Sequence, residues 1–229
     1  MEEHQNIQCV GFIMDGNRRW AKNQNLPSLQ GHAEGYEALR KMIHVVHGAH
    51  IPHMVCYAFS TENWKRTEAE VGYLMDLLHR ALTELVKALV KEGKKVNVRI
   101  IGEIERLPEK LQKEIAEVES NNFTEPELTL WIAISYGGRA EIVQAVNKAV
   151  RAGENVTEAT FEKYLWTCGM PDPDIIIRTS GEIRTSNFLI WQSAYSELFF
   201  TNTLWPDFGE IEFKGILEQY GKRQRRGGA

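Results

Sequence analysis

Short apolar runs alternate with longer stretches whose apolar residues recur every three or four positions. This alternation limits the possible fold more than any other feature of the chain. The runs cover residues 10–14, 54–59, 96–101, 128–135 and 175–177, with a weaker one at 198–201. Each has the length of a buried strand and is rich in aliphatic and aromatic residues. The stretches between them predict helices over 33–47, 68–91, 108–120, 139–151, 158–167 and 210–221. Tyr36, Leu39, Ile43 and Val46 share one helical face; Val71, Leu74, Met75, Leu78, Leu82, Leu85 and Leu89 share another. Strand–helix alternation builds a mainly parallel sheet with right-handed crossovers and flanking helices. The expected fold class is therefore α/β, with about six strands.

The 229 residues are enough for one large domain with a full core. No repeat, low-complexity linker or break in composition divides them. Residues 1–229 are expected to form a single domain, with the basic stretch 222–229 as a mobile tail. The net charge of −4 gives no bulk attraction to nucleic acid or to acidic membranes, so any anion-binding arginines must be gathered locally. Cys9, Cys56 and Cys168 form no C-x-x-C pair and are odd in number, which fits a reducing, cytoplasmic setting. The first residues, MEEHQNIQ, are acidic and polar, unlike a signal peptide. No apolar run approaches the ~18–20 residues that span a bilayer, which leaves peripheral contact with a membrane surface open.

Two of the expected strands run into loops with chemistry. The first loop carries Asp15, Asn17, Arg18 and Arg19; the second carries Arg178, Arg184 and Ser186. Open α/β sheets bind ligands just beyond the carboxyl ends of their strands. Arginine forks grip phosphate, and Ser180, Gly181 and Ser186 can add hydroxyl or backbone donors. Asp15 suits a hard cation such as Mg²⁺, which takes one or two carboxylates plus phosphate oxygens. Together these residues describe a site for a polyanion with a metal. A plainer reading stands beside it: Asp15 as a turn or cap residue, and arginines paired with Glu182 on a solvated loop. A third run, YAFSTENWKR at 57–66, brings Ser60, Asn63, Trp64 and Arg66, and could close over a bound anion. It also leads into a T-x-x-E capping box of Thr67 and Glu70, and both readings can hold.

The helix expected over 68–91 is unusually apolar, because Leu77, Ala81 and Ala88 widen its stripe. Such a face packs on the sheet, or part of it lines an apolar tunnel; periodicity does not separate the two. His44, His47, His50 and His53 recur every third residue, but Pro52 breaks the pattern and no cysteine or carboxylate completes a tetrahedral set. Phosphate-binding P-loop, dinucleotide, zinc-protease and nucleophile-elbow motifs are all missing.

The runs MDGNRRWA, GHAEGYEAL, YAFSTENWKR, SYGGRAEIV, PDIIIRTSGEIRTSNFLIWQ and YSELFFTNTLWPDF cover nearly the whole chain. In that order they resemble the motifs of the cis-prenyltransferases, within them the undecaprenyl diphosphate synthase (isoprenyl transferase) type. The resemblance implies a parallel α/β fold with a hydrophobic tunnel, acting as a homodimer. It implies Mg²⁺-dependent condensation of isopentenyl diphosphate onto an allylic diphosphate, such as farnesyl diphosphate, with new cis double bonds. Carried over by motif, Asp15 holds Mg²⁺ and acts on the allylic diphosphate. Gly16, Asn17, Arg18, Arg19 and Trp20 surround that substrate, with His32 nearby. Ser60, Thr61, Glu62, Asn63, Trp64 and Arg66 belong to a mobile substrate loop, Asn63 being the family's proposed proton acceptor. An amide is a poor base, so an orienting role for Asn63 is preferred, with a diphosphate oxygen taking the proton. Arg178, Arg184, Thr185 and Ser186 hold isopentenyl diphosphate, and Glu197 is the second metal carboxylate. Arg225 and Gly227 match the family's R-x-G tail. One departure is Ser28, where the family usually has an arginine four positions before the histidine of its GH pair. A non-catalytic subunit of a heteromeric prenyltransferase and a phosphate-ester hydrolase on a similar fold are the alternatives.

Overall fold

The computed structural model describes residues 7–223. Its sheet contains β1 (Cys9–Ile13), β2 (His53–Ser60), β3 (Val96–Ile101), β4 (Leu128–Tyr136), β5 (Ile175–Arg178) and β6 (Glu197–Phe200). All pairs are parallel, in the order β3-β4-β2-β1-β5-β6. Each run read as a strand is a strand, including the weak sixth.

Side chains alternate across the sheet because successive residues of a strand point to opposite faces. Val10 and Phe12, with Leu128, Leu130, Ile132 and Ile134, enter the larger core under the helices. Cys9, Ile13, Trp131 and Ala133 enter a smaller core on the other face, against Phe188 and Leu189. Cys9 and Cys56 are buried free thiols, whereas Cys168 is exposed.

The helices are α1 (Asn17–Asn23), α2 (Ser28–Gly48), α3 (Glu68–Arg80), α4 (Val86–Lys91), α5 (Glu109–Ser120), α6 (Gly138–Ala152), α7 (Glu158–Phe161) and α8 (Glu210–Lys222). Helix α2 starts five residues before the expected 33, which brings Ser28 and His32 into it, and three further helices differ from expectation. Helix α1 was not expected, because in NRRWAKN only Trp20 and Ala21 are apolar and no stripe can show. The helix expected over 68–91 is continuous but widens into a π-helical turn at Ala81–Leu85, where the Thr83 hydroxyl donates back to the His79 carbonyl at 2.8 Å. The stretch 158–167 holds only α7 and a 3₁₀ turn, Glu162–Tyr164.

Strand order fixes where a ligand can sit. From β1 the chain moves to β2 on one side; from β5 it moves to β6 on the other. The carboxyl ends of β1 and β5 therefore flank the topological switch point, where open α/β sheets form their binding crevice.

Candidate active site

The two loops singled out above leave β1 and β5 and meet across this crevice. Arg178 ends β5, and its guanidinium donates to Asp15 Oδ2 at 2.7 Å. The same side chain donates to Ser186 Oγ at 2.7 Å and to the Arg184 carbonyl at 2.6 Å, so it organises the loop that follows it. Its side chain is only 5% exposed, against 34% for Asp15, so a nearly buried cation meets a carboxylate open to the crevice. Thr179 secures the Asp15 backbone from both sides, accepting from its N–H at 3.0 Å and donating to its carbonyl at 2.6 Å.

Gly16 then turns the chain at φ +109°, a region L side chains rarely adopt. Helix α1 starts immediately after it and carries Asn17, Arg18 and Arg19. Arg19 donates to Ser180 Oγ at 2.6 Å and pairs with Glu182 at 3.4 Å. Arg184 pairs with the same Glu182 at 2.5 Å. The plain reading, in which Arg178 and Arg184 pair with nearby acids such as Glu182 on a solvated loop, thus holds for Arg184 but not for nearly buried Arg178, and Arg19 joins the same Glu182.

Two joined cavities open here. A polar one of about 990 Å³ is lined by Arg18, Arg19, Lys22, Ser28, Glu182 and Arg184, among others. An apolar one of about 310 Å³ runs inward between the sheet and the helices. Ile132, Ile134 and Phe59 form its sheet side; Tyr36, Leu39, Leu74, Met75, Leu77, Leu78 and Ala81 form its helix side. Asp15, Asn17, His32 and Arg66 line both. The stripe over 68–91 therefore does two jobs, packing the core and walling a cavity. Two buried polar atoms at this junction, Asn17 Oδ1 and Arg178 Nε, have no hydrogen-bond partner, which is unusual enough to point to a ligand.

Glu70 sits at the same junction. It accepts from Arg66 at 2.8 Å and His32 at 3.1 Å, with Arg18 at 3.7 Å. Thr67 accepts from the Glu70 N–H at 3.3 Å, but the Glu70 side chain faces these three partners, so only half of the expected capping box forms. The complete box lies earlier, where Asn63 Oδ1 accepts from the Ser60 N–H at 3.0 Å. Although burial works to raise the pKa of Glu70, its hydrogen bond to His32 and the charges of Arg66 and Arg18 outweigh it and lower it. Burial likewise lowers that of His32, despite the opposing pull of Glu70. At neutral pH this is a neutral imidazole donating to a carboxylate.

Other candidates fall as follows. Ser60, Asn63, Arg66, Arg178 and Ser186 line the apolar cavity. Glu62 accepts from Asn187 at 3.2 Å, tying the 3₁₀ turn Thr61–Lys65 to the loop after β5. Thr61 lies beside Gly137, against the same asparagine. Trp20 and Trp64 face neither cavity: Trp20 donates to Asp207 at 2.7 Å and Trp64 to Ser135 at 2.9 Å. Thr185 lines neither cavity and accepts from the Phe188 N–H at 3.1 Å. Arg225 and Gly227 lie outside the described residues.

Glu197 does not join Asp15 within one chain, contrary to expectation. It opens β6, in register with Ile175 and through it with Val10, five positions before Asp15. At ~3.3 Å per strand residue that is roughly 16 Å along the sheet, towards its opposite end. Its carboxylate there pairs with Arg223. The strand expected at 198–201 already set Glu197 at its amino end; the motif resemblance alone put it beside Asp15.

Sequence reading missed Tyr57, Thr179 and Trp205. Tyr57 stacks on Phe188 at 4.7 Å and donates to the Ser186 carbonyl at 3.4 Å. Trp205 donates to the Gly35 carbonyl at 2.8 Å, and its N–H to the Asp15 carbonyl at 3.1 Å. Two of the three are aromatics inside motif runs, a signal readily taken for core.

A cationic mouth that narrows into an apolar cavity, with both parts meeting at a carboxylate, is built for a phosphorylated hydrocarbon. It defines an enzyme of the prenyl-transferring class. The profile described as "Putative undecaprenyl diphosphate synthase" matches residues 13–228, and the chain belongs to that family. It is 48% identical to an isoprenyl transferase of Thermotoga maritima, covering 96% of each chain. It is 40% identical to the ditrans,polycis-undecaprenyl-diphosphate synthase of Legionella pneumophila, covering 98% of this chain and 97% of that one. Among solved structures, lavandulyl diphosphate synthase from Lavandula x intermedia, in complex with dimethylallyl diphosphate, superposes with a TM-score of 0.93. Identity is 34%, over 98% of this chain and 99% of that one.

Proposed function

We propose that this prenyltransferase condenses isopentenyl diphosphate with an allylic diphosphate, such as farnesyl diphosphate, to make a Z-polyprenyl diphosphate. The observation that carries the reading is the Asp15–Arg178 contact at the switch point, placed where the polar cavity passes into the apolar one.

In this reading Arg18, Arg19 and His32 receive the allylic diphosphate in the polar cavity, and its hydrocarbon enters the apolar one. Arg178, Arg184 and Ser186 hold isopentenyl diphosphate. The allylic C–O bond breaks, and the isopentenyl double bond forms the new C–C bond at that carbon. A proton then leaves the neighbouring carbon, and inorganic diphosphate departs. The arginines stabilise charge on the leaving group as it grows. Asn63 Oδ1 already accepts from Ser60, which favours an orienting role for it and leaves a diphosphate oxygen to take the proton. The growing chain stays dry between the sheet and α3, where each buried CH₂ contributes about 0.8 kcal/mol.

Asp15 fits a Mg²⁺ site. The described residues contain no group of three metal-type ligands, and a hard cation with a single protein carboxylate takes its remaining oxygens from diphosphate and water. When bound there, Mg²⁺ supplies Lewis-acid neutralisation of the diphosphate. A homodimer is part of the same reading, supported by exposed Val143, Val146 and Val150 on one face of α6. No helix among the described residues is long and apolar enough to cross a membrane. We propose a cytoplasmic enzyme that meets the membrane peripherally, to release product.

The test combines purified protein, Mg²⁺, farnesyl diphosphate and labelled isopentenyl diphosphate, with extraction of lipid. Label in long lipid is the expected result. Label left in water with free phosphate appearing would mean a hydrolase, and reaction only after adding a second protein would mean a subunit without its own activity.

A further inference from the structure

A closed ring of side chains stands beside the site and lines neither cavity. The Trp64 indole N–H donates to Ser135 Oγ at 2.9 Å, and that hydroxyl reaches Glu103 Oε2 at 3.4 Å. Glu103 Oε2 also accepts from Arg106 Nη1 at 2.7 Å. The Arg106 guanidinium returns over the Trp64 ring, 5.0 Å from its centroid. The ring's other edge is closed by Phe59, edge-on at 4.9 Å.

The backbone is bent to bring these groups together. Ser135 is fully buried and sits at φ +48°, where a side chain is uncommon. Gly102 sits at φ +134°, and a Cβ there would lie 1.9 Å from the Ile134 carbonyl oxygen. Only glycine lets the end of β3 approach β4 closely enough for Glu103 to face Ser135.

What this arrangement holds is the 3₁₀ turn Thr61–Lys65, because Trp64 lies within it. Ser60, Asn63 and Arg66, on and beside that turn, line the apolar cavity. We propose that Glu103 and Arg106 are positioning residues: they clamp Trp64 and so hold the substrate turn over the cavity. Neither residue touches the site. They act by setting the fraction of molecules in which the turn is docked, and apparent affinity falls in proportion to that fraction. The kinetic arm of the test rests on the proposed reaction; the proteolytic arm does not.

The experiment compares the full chain with Arg106→Ala, Arg106→Lys and Glu103→Gln. Trypsin cutting after exposed Lys65, followed by mass spectrometry, reads undocking of the turn. Arg106→Ala and Glu103→Gln are expected to speed that cut several-fold while other sites keep their rates. KM for both diphosphates should rise roughly three- to tenfold with kcat kept or raised, since a looser turn also releases product. Arg106→Lys keeps the charge but loses the planar fork, and should fall between. A faster cut in a protein that condenses no prenyl units would still support the clamp. An unchanged cut after Lys65 would overturn it. So would a general rise in cutting that tracks a lower Tm with KM untouched, because that is merely structural damage.

Discussion

At the scale of single residues, Asp15 and Arg178 dominate. A buried guanidinium needs its counter-charge, so Asp15→Ala would remove chemistry and also leave Arg178 uncompensated, a change that commonly costs several kcal/mol. Asp15→Asn separates the two effects in part, since the amide oxygen still accepts from Arg178 although the counter-charge is lost. It is expected to lower Tm less than Asp15→Ala does, while kcat falls at least about a hundredfold. Arg184 is exposed and pairs only with Glu182 among the described residues, so Arg184→Ala should leave kcat near parent and raise KM for isopentenyl diphosphate. Steady-state kinetics on both variants checks this contrast. His32 gives a pH signature. Its pKa is lowered by burial, so below the ordinary value near 6.5 the unfolded chain takes up a proton that the folded chain resists. Stability is therefore whole above pH ~6.5 and declines as pH falls through the depressed folded value. Depression of Glu70 adds a further loss at lower pH, beginning below the ordinary carboxylate value near 4.3. Urea denaturation from pH 7.5 to 5 should show the first decline, and His32→Gln should make it shallower, leaving the share of His44 and His53, whose pKa values burial also lowers.

At the scale of elements, α1 and α2 pack through glycines. A Cβ on Gly31 would lie 2.1 Å from the Asn17 carbonyl oxygen, and one on Gly35 would lie 2.5 Å from Asn17 Oδ1. The two are four residues apart and share a helix face, which lets α1 lie against α2 and fixes Asn17 at the cavity junction. Gly31→Ala must move backbone, and is expected to cost about 1–3 kcal/mol or more. Gly48→Ala, in the same helix with nothing within 4 Å, should instead stabilise by about 0.5–1 kcal/mol. Thermal unfolding of the pair checks both signs. These glycines also show what the sequence made legible. The strands were readable because a parallel sheet covered on both faces leaves a dense apolar run, and the two chemical loops were readable because they follow such runs directly. The GHAEG glycines stood in plain view within a matching motif, yet their spacing reports only a close approach and not its partner. Glu197 shows a related limit: the motif names the residue and the strand expected at 198–201 sets its end, but neither says which chain's site it serves. Glu70 was read as half of a cap, when two arginines and a histidine around it make its side chain part of the site. The tunnel wall could not be told from core, because Leu74, Met75 and Leu78 satisfy both demands with the same period.

At the scale of the whole molecule, one surface is out of keeping with a lone chain. Val143, Val146 and Val150 on α6 are 60%, 46% and 72% exposed, and their spacing puts them on one stripe. At the start of the same helix, exposed Ile190 packs on Gly138. Scattered exposed apolar residues need no explanation, but a contiguous apolar face on a surface helix marks an interaction site. The remote Glu197 bears on the same question, since within one chain its strand position lies roughly 16 Å from Asp15 and it reaches a metal there only if a second copy presents it. If two copies pair through the α6 stripe, a charge placed there meets its own image across the interface. Val143→Lys with Val150→Lys should then give a monomer where the parent is a dimer. An exposed valine on a lone chain loses little on becoming lysine, within about 0.5 kcal/mol each, so the monomer is expected to keep its far-UV circular dichroism. Light scattering at micromolar concentration reads the mass directly. Equal mass for parent and variant would remove α6 from the interface, and a monomeric parent would remove the interface altogether.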